Sequence, residues 1–220
     1  MADISILLDR YVSLSMGTVQ GYLTPLDARL ISALLTYQKQ NGINGHLCEI
    51  GVHHGRLLLM LAMARRSGER ALGIDLFEDD MINIGCRQRG RDQALFVNAR
   101  RLGISLSEEE TFMTSSLDIG PPAILDRTTG PIRFWSIDGG HFYHHVENDL
   151  RLAEATVVPK GIIAVDDFFN PRWPEVSLAV YDFLRKTHSI VPFAITRGKI
   201  YLSYSGAAEK YKAALRLHTE

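Results

Sequence analysis

Apolar and polar positions along the 220-residue chain change rhythm near residue 43. Before that point the period is helical. "TPLDARLISALLTYQKQNG" opens with Thr24 as an N-cap, Pro25 at the first helical position and Asp27 in the first turn. Leu26, Leu30 and Leu34 then recur at helical spacing, and Asn41-Gly42 stops the run. Residues 1–43 therefore read as a helical segment, not needed for a sheet, that serves as a lid or a dimerisation surface. Residues 44–220 form the main domain.

From residue 44 onward, short runs that are apolar throughout alternate with amphipathic stretches. The predicted strands are 46–50, 71–75, 111–115, 132–138 and 156–166, and the predicted helices lie near 55–67, 87–102, 120–127, 141–155 and 174–187. Strands apolar on both sides and separated by helices indicate a parallel sheet covered on both faces. "SIVPFAITRGKIYLSYS" (189–205) breaks that rule: two strand-like runs around Arg197-Gly198 are too close for a crossover, so they form an antiparallel hairpin. A tail helix, "AAEKYKAALRLH", follows. The expectation is a Rossmann-like α/β fold: an open, mostly parallel seven-stranded sheet with a C-terminal antiparallel hairpin and helices on both faces.

Composition adds little to this picture and excludes some classes. With 46% hydrophobic and 22% charged residues the chain suits one sizeable core. A net charge of −1 gives no long-range pull toward nucleic acid or an anionic membrane, so neither is expected as a partner. The longest apolar run, "LLLMLAMA" (57–64), is far short of the roughly 20 residues a membrane span needs. "MADISILLDR" lacks the positive charge of a secretion signal, and Cys48 and Cys86 make no disulfide framework. Cys48, in an apolar strand, reads as a buried small hydrophobe. The expected location is the cytoplasm.

In open α/β sheets ligands bind beyond the carboxyl ends of the strands, so the residues after each strand carry the candidate chemistry. The first strand leads into "EIGVHHG", with Glu49, Gly51 and Gly55. The glycines either let backbone approach a ligand at a helix N-terminus or only make a tight turn. His53 and His54 either line a site or fill the loop. Asp75 ends the second strand, about twenty residues after the glycine loop, where an acid accepts from a ribose diol in nucleotide-binding sheets. Glu78, Asp79 and Asp80 beyond it suit a solvated loop. Asp138 follows the fourth strand, and Asp166 and Asp167 follow the fifth. Three carboxylates at adjacent strand ends repel one another unless something positive sits between them, and a divalent cation such as Mg²⁺ takes oxygen ligands of this kind.

His141 stands three residues after Asp138, at the predicted start of the next helix. An imidazole there is suited to remove a proton from a metal-held group. His141 and His145 also have the i, i+4 spacing of zinc-binding helices, with no third local ligand; His144 and His145 otherwise read as ordinary helix residues. Phe142, Tyr143, Phe168, Phe169 and Trp173 supply apolar surface nearby, for an organic substrate or for the core.

Together, "LCEIGVHHGRLLLML", "GID", "TSSLD" and "WSIDGGHFYHHVENDL…IIAVDDF" resemble class I S-adenosylmethionine-dependent methyltransferases. The similarity points to the metal-dependent small-molecule O-methyltransferases, both the catechol type and the group around macrocin O-methyltransferase and cephalosporin-hydroxylase-like proteins. It spans roughly residues 20 to 205. The resemblance implies Glu49 and Gly51 at the methionine portion of the cofactor, with Gly55 in the same loop. It implies Asp75 on the ribose and Ser116 with Leu117 beside the adenine. It implies Asp138, Asp166 and Asp167 at the metal, Asp138 also bordering the cofactor, and His141 as the catalytic base. The catechol type carries asparagine where Asp167 stands and lysine where His141 stands. Glycine is common in the middle of the loop, where this chain has His53. The expected acceptor is a small molecule with a hydroxyl, and the expected assembly is a homo-oligomer. The rival readings are a nicotinamide-dependent oxidoreductase, against which "EIGVHHG" and the hairpin speak, and a non-catalytic cofactor-binding protein on the same fold.

Overall fold

The computed structural model describes residues 3–77, 92–187 and 189–216; Glu78 to Asp80 and Cys86 lie outside the described residues. The strands are β1 (His46–Ile50), β2 (Ala71–Asp75), β3 (Thr111–Met113), β4 (Ile132–Ile137), β5 (Val157–Asp166), β6 (Ile190–Ile195) and β7 (Lys199–Tyr204). The α-helices among the described residues are α1 (Ile4–Arg10), α2 (Pro25–Gln40), α3 (Arg56–Met63), α4 (Asp92–Arg101), α5 (Pro121–Thr128), α6 (Tyr143–Thr156), α7 (Pro174–Lys186) and α8 (Ser205–Arg216).

Every side chain of β1 and β4 is buried, as a strand covered on both faces requires. Successive residues alternate between two cores. Leu47, Phe134, Ile162 and Tyr201 pack on one face with α2, α3 and α8, while Cys48, Trp135, Ile163 and Leu202 pack on the other with α6 and α7. The strand order is β3-β2-β1-β4-β5-β7-β6, parallel except for β7, which runs antiparallel to both β5 and β6. The expected seven-stranded architecture, hairpin included, is the observed one.

The order reverses direction between β1 and β4. Gly51 N–H donates to Ile74 of β2 while Ile50 C=O accepts from Asp138 N–H beyond β4, so the chain parts company with its two neighbours at this point. A crevice opens at such a switch, and it opens here.

Three local expectations are corrected. Leu26 lies on the solvent side of α2, 60% exposed, and the buried stripe is Ala28, Ile31, Leu34 and Leu35; the capping by Thr24 and Pro25 stands as read. β3 stops at Met113 rather than residue 115, because Ser115 caps a 3₁₀ turn over Ser116–Asp118. α6 starts at Tyr143, so His141 precedes the helix. Phe142, the N-cap, has no capping side chain, and Glu175 Oε2 accepts from Tyr143 N–H at 2.7 Å instead.

The N-terminal segment is part of the packing. Leu8, Tyr11, Met16, Val19 and Leu23 belong to the core that also holds Leu47 and Phe134. Tyr11 Oη donates to the Arg56 carbonyl at 2.6 Å, and Arg56 Nε donates back to the Val19 carbonyl at 2.7 Å. Residues 19–23 are thereby strapped across the start of α3. Among the described residues no helix is long and apolar enough to cross a membrane.

Candidate active site

The β1–α3 loop is shaped by contacts with protein. Gly51 has φ +86, and a Cβ there would lie 1.8 Å from the Asp138 carbonyl oxygen. Only glycine allows the loop to cross the end of β4 this closely. Gly55 has φ +88, and its Cβ would meet Leu95 of α4 at 2.3 Å. Both glycines are thus required by the turn and its packing. His53, between them, takes φ +52, a conformation that costs a non-glycine residue of order 1 kcal/mol or more and concentrates at functional loops. Its amide donates to Asp75 Oδ2 at 2.8 Å, while Asp75 Oδ1 accepts from Phe77 N–H at 2.7 Å. Asp75 therefore ties the tip of β2 to the β1 loop and retains lone pairs for a further donor.

A cleft beside this loop is lined by Glu49, Gly51, Asp138, Asp166 and Lys199, with Arg56 and His53 on its wall and Gly21 to Leu23 of the strap as its cover. Glu49 is 3% exposed, and its Oε2 has no hydrogen-bond partner. Burial pushes its carboxyl well above the usual range, opposed by the Lys199 ammonium. An acceptor left unpaired in a buried place costs free energy that a donor from a ligand would recover.

Asp138 belongs both to this cleft and to a second cluster. His141 Nε2 lies 2.8 Å from Asp167 Oδ2 and 3.9 Å from Asp138 Oδ1. The imidazole stacks on Trp173, centroids 4.4 Å apart and planes at 15°, which fixes its orientation. Asp167 takes φ +57, and its Oδ1 accepts from Asn170 Nδ2 at 2.7 Å. Burial raises its pKa, but the hydrogen bonds from His141 and Asn170 outweigh this and hold the carboxyl below the usual range. Asp138 behaves in the opposite way: burial first, then the neighbouring Asp166, push its carboxyl well up, with Lys199 opposing. One ligand atom each from Asp138, His141 and Asp167 lie within 4.8 Å of one another, close enough to hold a metal ion.

Asp166, expected in that group, lies beside Asp138 in the cleft and is paired with a lysine. β5 and β7 pair Asp166 with Lys199, and Lys199 Nζ sits 2.6 Å from Asp166 Oδ2. Lys199 is 2% exposed. Sequence reasoning passed it over, because a lone lysine after a turn carries no signal until the register of the antiparallel pair is known.

The remaining expected residues lie apart from the cleft. Gly55 turns to α4, as described. Ser116 and Leu117 occupy the 3₁₀ turn after β3, where Asn148 Nδ2 of α6 donates to the Ser116 carbonyl at 3.1 Å and Leu117 is 43% exposed. His145 lies in the first turn of α6 with its ring against Gly140, and His141 is outside that helix, so the helical i, i+4 pairing does not form. Phe168 is a core residue, 1% exposed, while Phe169 is 59% exposed.

Residues 48–168 match the family described as a methyltransferase domain. No curated protein matches the chain. Among solved structures, the O-methyltransferase NovP superposes with a TM-score of 0.73 at 17% identity, over 92% of this chain and 99% of that one. CalS11, a TDP-rhamnose 3'-O-methyltransferase of calicheamicin biosynthesis, gives 0.59 at 16% identity, over 92% of this chain and 93% of that one. MycE of the mycinamycin pathway, solved with Mg and SAH, gives 0.57 at 18% identity; 92% of this chain spans 55% of MycE. At these identities the likeness is one of fold.

Proposed function

Because the chain belongs to the methyltransferase-domain family and carries the class I S-adenosylmethionine-dependent fold, we propose that it transfers a methyl group from S-adenosylmethionine to a hydroxyl of a small molecule, aided by a divalent cation. The observation that carries this reading is the placement of Asp138. One carboxylate is shared between a cleft with an unpartnered acceptor oxygen on Glu49 and a cluster holding an oriented imidazole.

The residues present fit the cofactor. Glu49 Oε2 is a buried acceptor awaiting a donor such as the methionine ammonium, and Asp75 keeps acceptor capacity for a ribose diol. The strap residues Gly21 to Leu23 cover the cleft and limit its access to water. Ser116 and Leu117 remain the proposed adenine side. The donor set also fits a divalent cation: the Asp138 and Asp167 carboxylates converge, with the His141 imidazole beside them to serve as base and not as ligand. Bound there, Mg²⁺ would orient a substrate hydroxyl and lower its pKa.

The chain's own residues do the rest. His141, held by Asp167 and by Trp173, is placed to take the proton of the acceptor hydroxyl as that oxygen forms its bond to the methyl carbon and the carbon–sulfur bond breaks. Asp167 orients the imidazole and stabilises its protonated form. Self-association remains part of the proposal, supported by the exposed apolar Ile6, Leu14 and Leu26 of the N-terminal segment.

The test is turnover on a panel of hydroxylated acceptors, sugars and phenols included. His141→Ala should lower it by roughly 10²–10⁴-fold with cofactor affinity unchanged. His144→Ala should change it little, and a chelator should suppress it. His141→Ala retaining most activity would remove the base, and turnover indifferent to chelation would leave the His141–Asp167 pair acting without an ion.

A further inference from the structure

The acids of this site outnumber what a single bound cation neutralises, and the structure already supplies one cation of its own. Glu49, Asp138 and Asp166 share the cleft with the Lys199 ammonium, and Asp167 stands next along the chain. Lys199 reaches this position because β7 pairs antiparallel with β5 and sets it directly opposite Asp166. The turn before it is fixed. Thr196 N–H donates to the Lys199 carbonyl at 2.8 Å, and Thr196 Oγ1 accepts from Lys199 N–H at 3.0 Å and donates to Asp27 Oδ1 at 2.6 Å. Asp27 in turn accepts from Tyr201 Oη at 2.9 Å. The ammonium is therefore delivered to the cleft floor by strand register and by a buried tether to α2. It is not a surface side chain that happens to fold inward.

We propose that Lys199 is a positioning residue that acts as the resident cation of the site: its ion pair withholds Asp166 from the divalent cation and confines that cation to the side of Asp138, His141 and Asp167. This rests on the metal reading above. The convergent ligand atoms are those of Asp138, His141 and Asp167, while Asp166 Oδ2 is 2.6 Å from Nζ. Lys199 is buried and lines the same cleft as Asp138. A fixed positive charge in the same cleft repels a second cation. Its presence weakens binding of the ion and prevents the full acidic cluster from closing around it, which keeps coordination positions open for a substrate oxygen.

The experiment is Mn²⁺ binding to the full-length protein, read from the free-ion resonance signal, with thermal unfolding recorded in parallel. Lys199→Met should bind Mn²⁺ roughly tenfold more tightly or better, since repulsion is removed and Asp166 is released as a ligand. The double variant Lys199→Met/Asp166→Asn removes both charges of the pair, a replacement that is often close to neutral for folding. Its affinity should return to within about threefold of wild type, because the net charge is restored and the ligands remain. Asp167→Asn should lose most binding. An unchanged or weaker affinity in Lys199→Met, or loss of Mn²⁺ by the double variant, would overturn this inference alone. Absence of Mn²⁺ binding by the wild type would overturn it together with the metal reading.

Discussion

Asp149 of α6 is fully buried, and its Oδ2 has no partner. It sits behind the Asp138 loop: a Cβ on Gly139 would lie 3.2 Å from that oxygen. Burial pushes its carboxyl up to about 6, against hydrogen bonds from Ser116 and Asn148 that oppose the shift. A carboxyl whose folded pKa is raised stabilises the fold below its unfolded value near 3.8, and that contribution is lost as pH rises through about 6. The rise of about two units corresponds to roughly 3 kcal/mol as an upper bound. The melting temperature of Asp149→Asn relative to wild type should therefore climb as pH rises from 4 to 7 and level off above that. A constant difference across that range would show that the carboxyl is not titrating there. This residue carried no sequence signal, nor did Lys199, because a single polar letter within an amphipathic run does not reveal whether it faces solvent or the back of a loop. Asp138, Asp166 and Asp167 were legible as a group because each ends a strand, and strand ends meet at one edge of a parallel sheet. Which of them are free and which are already paired depended on β7.

At the level of elements, most of what could be read came from capping chemistry and periodicity, and the errors fall where neither applies. Thr24-Pro25 fixed the start of α2, and the bounds of β1 and β2 are those read from the sequence. The start of α6 was missed because its cap comes from Glu175, on another helix. That shift matters chemically: His141 is held by Asp167 and Trp173 rather than by helical backbone. The β1–α3 loop gives the sharpest test at this scale. Gly51 combines φ +86 with a Cβ position 1.8 Å from the Asp138 carbonyl, so neither backbone strain nor side-chain movement can accommodate another residue. Gly51→Ala should lower stability by about 3 kcal/mol or more and displace Asp138. Its melting temperature and its Mn²⁺ affinity should fall together. A variant that keeps both would mean that the two strand-end loops are not locked to each other.

For the whole molecule, an alternation of apolar runs and helices implied the doubly wound sheet, and the strand-order reversal between β1 and β4 then located the cleft. The N-terminal segment was less legible. Its helices read as a lid or dimerisation surface not needed for the sheet; Leu8, Tyr11 and Val19 pack into one of the sheet's two cores, and residues 21–23 border the cleft. Whether this cleft holds S-adenosylmethionine is read by calorimetric titration of the product S-adenosylhomocysteine into the purified protein, with NAD as the control. Saturable binding of S-adenosylhomocysteine to one site per chain, and none of NAD, is expected. Asp75→Ala should weaken that binding by about 1.5–3 kcal/mol, the worth of charge-assisted hydrogen bonds. Binding of NAD without S-adenosylhomocysteine, or an Asp75→Ala affinity equal to wild type, would contradict that assignment of the cleft.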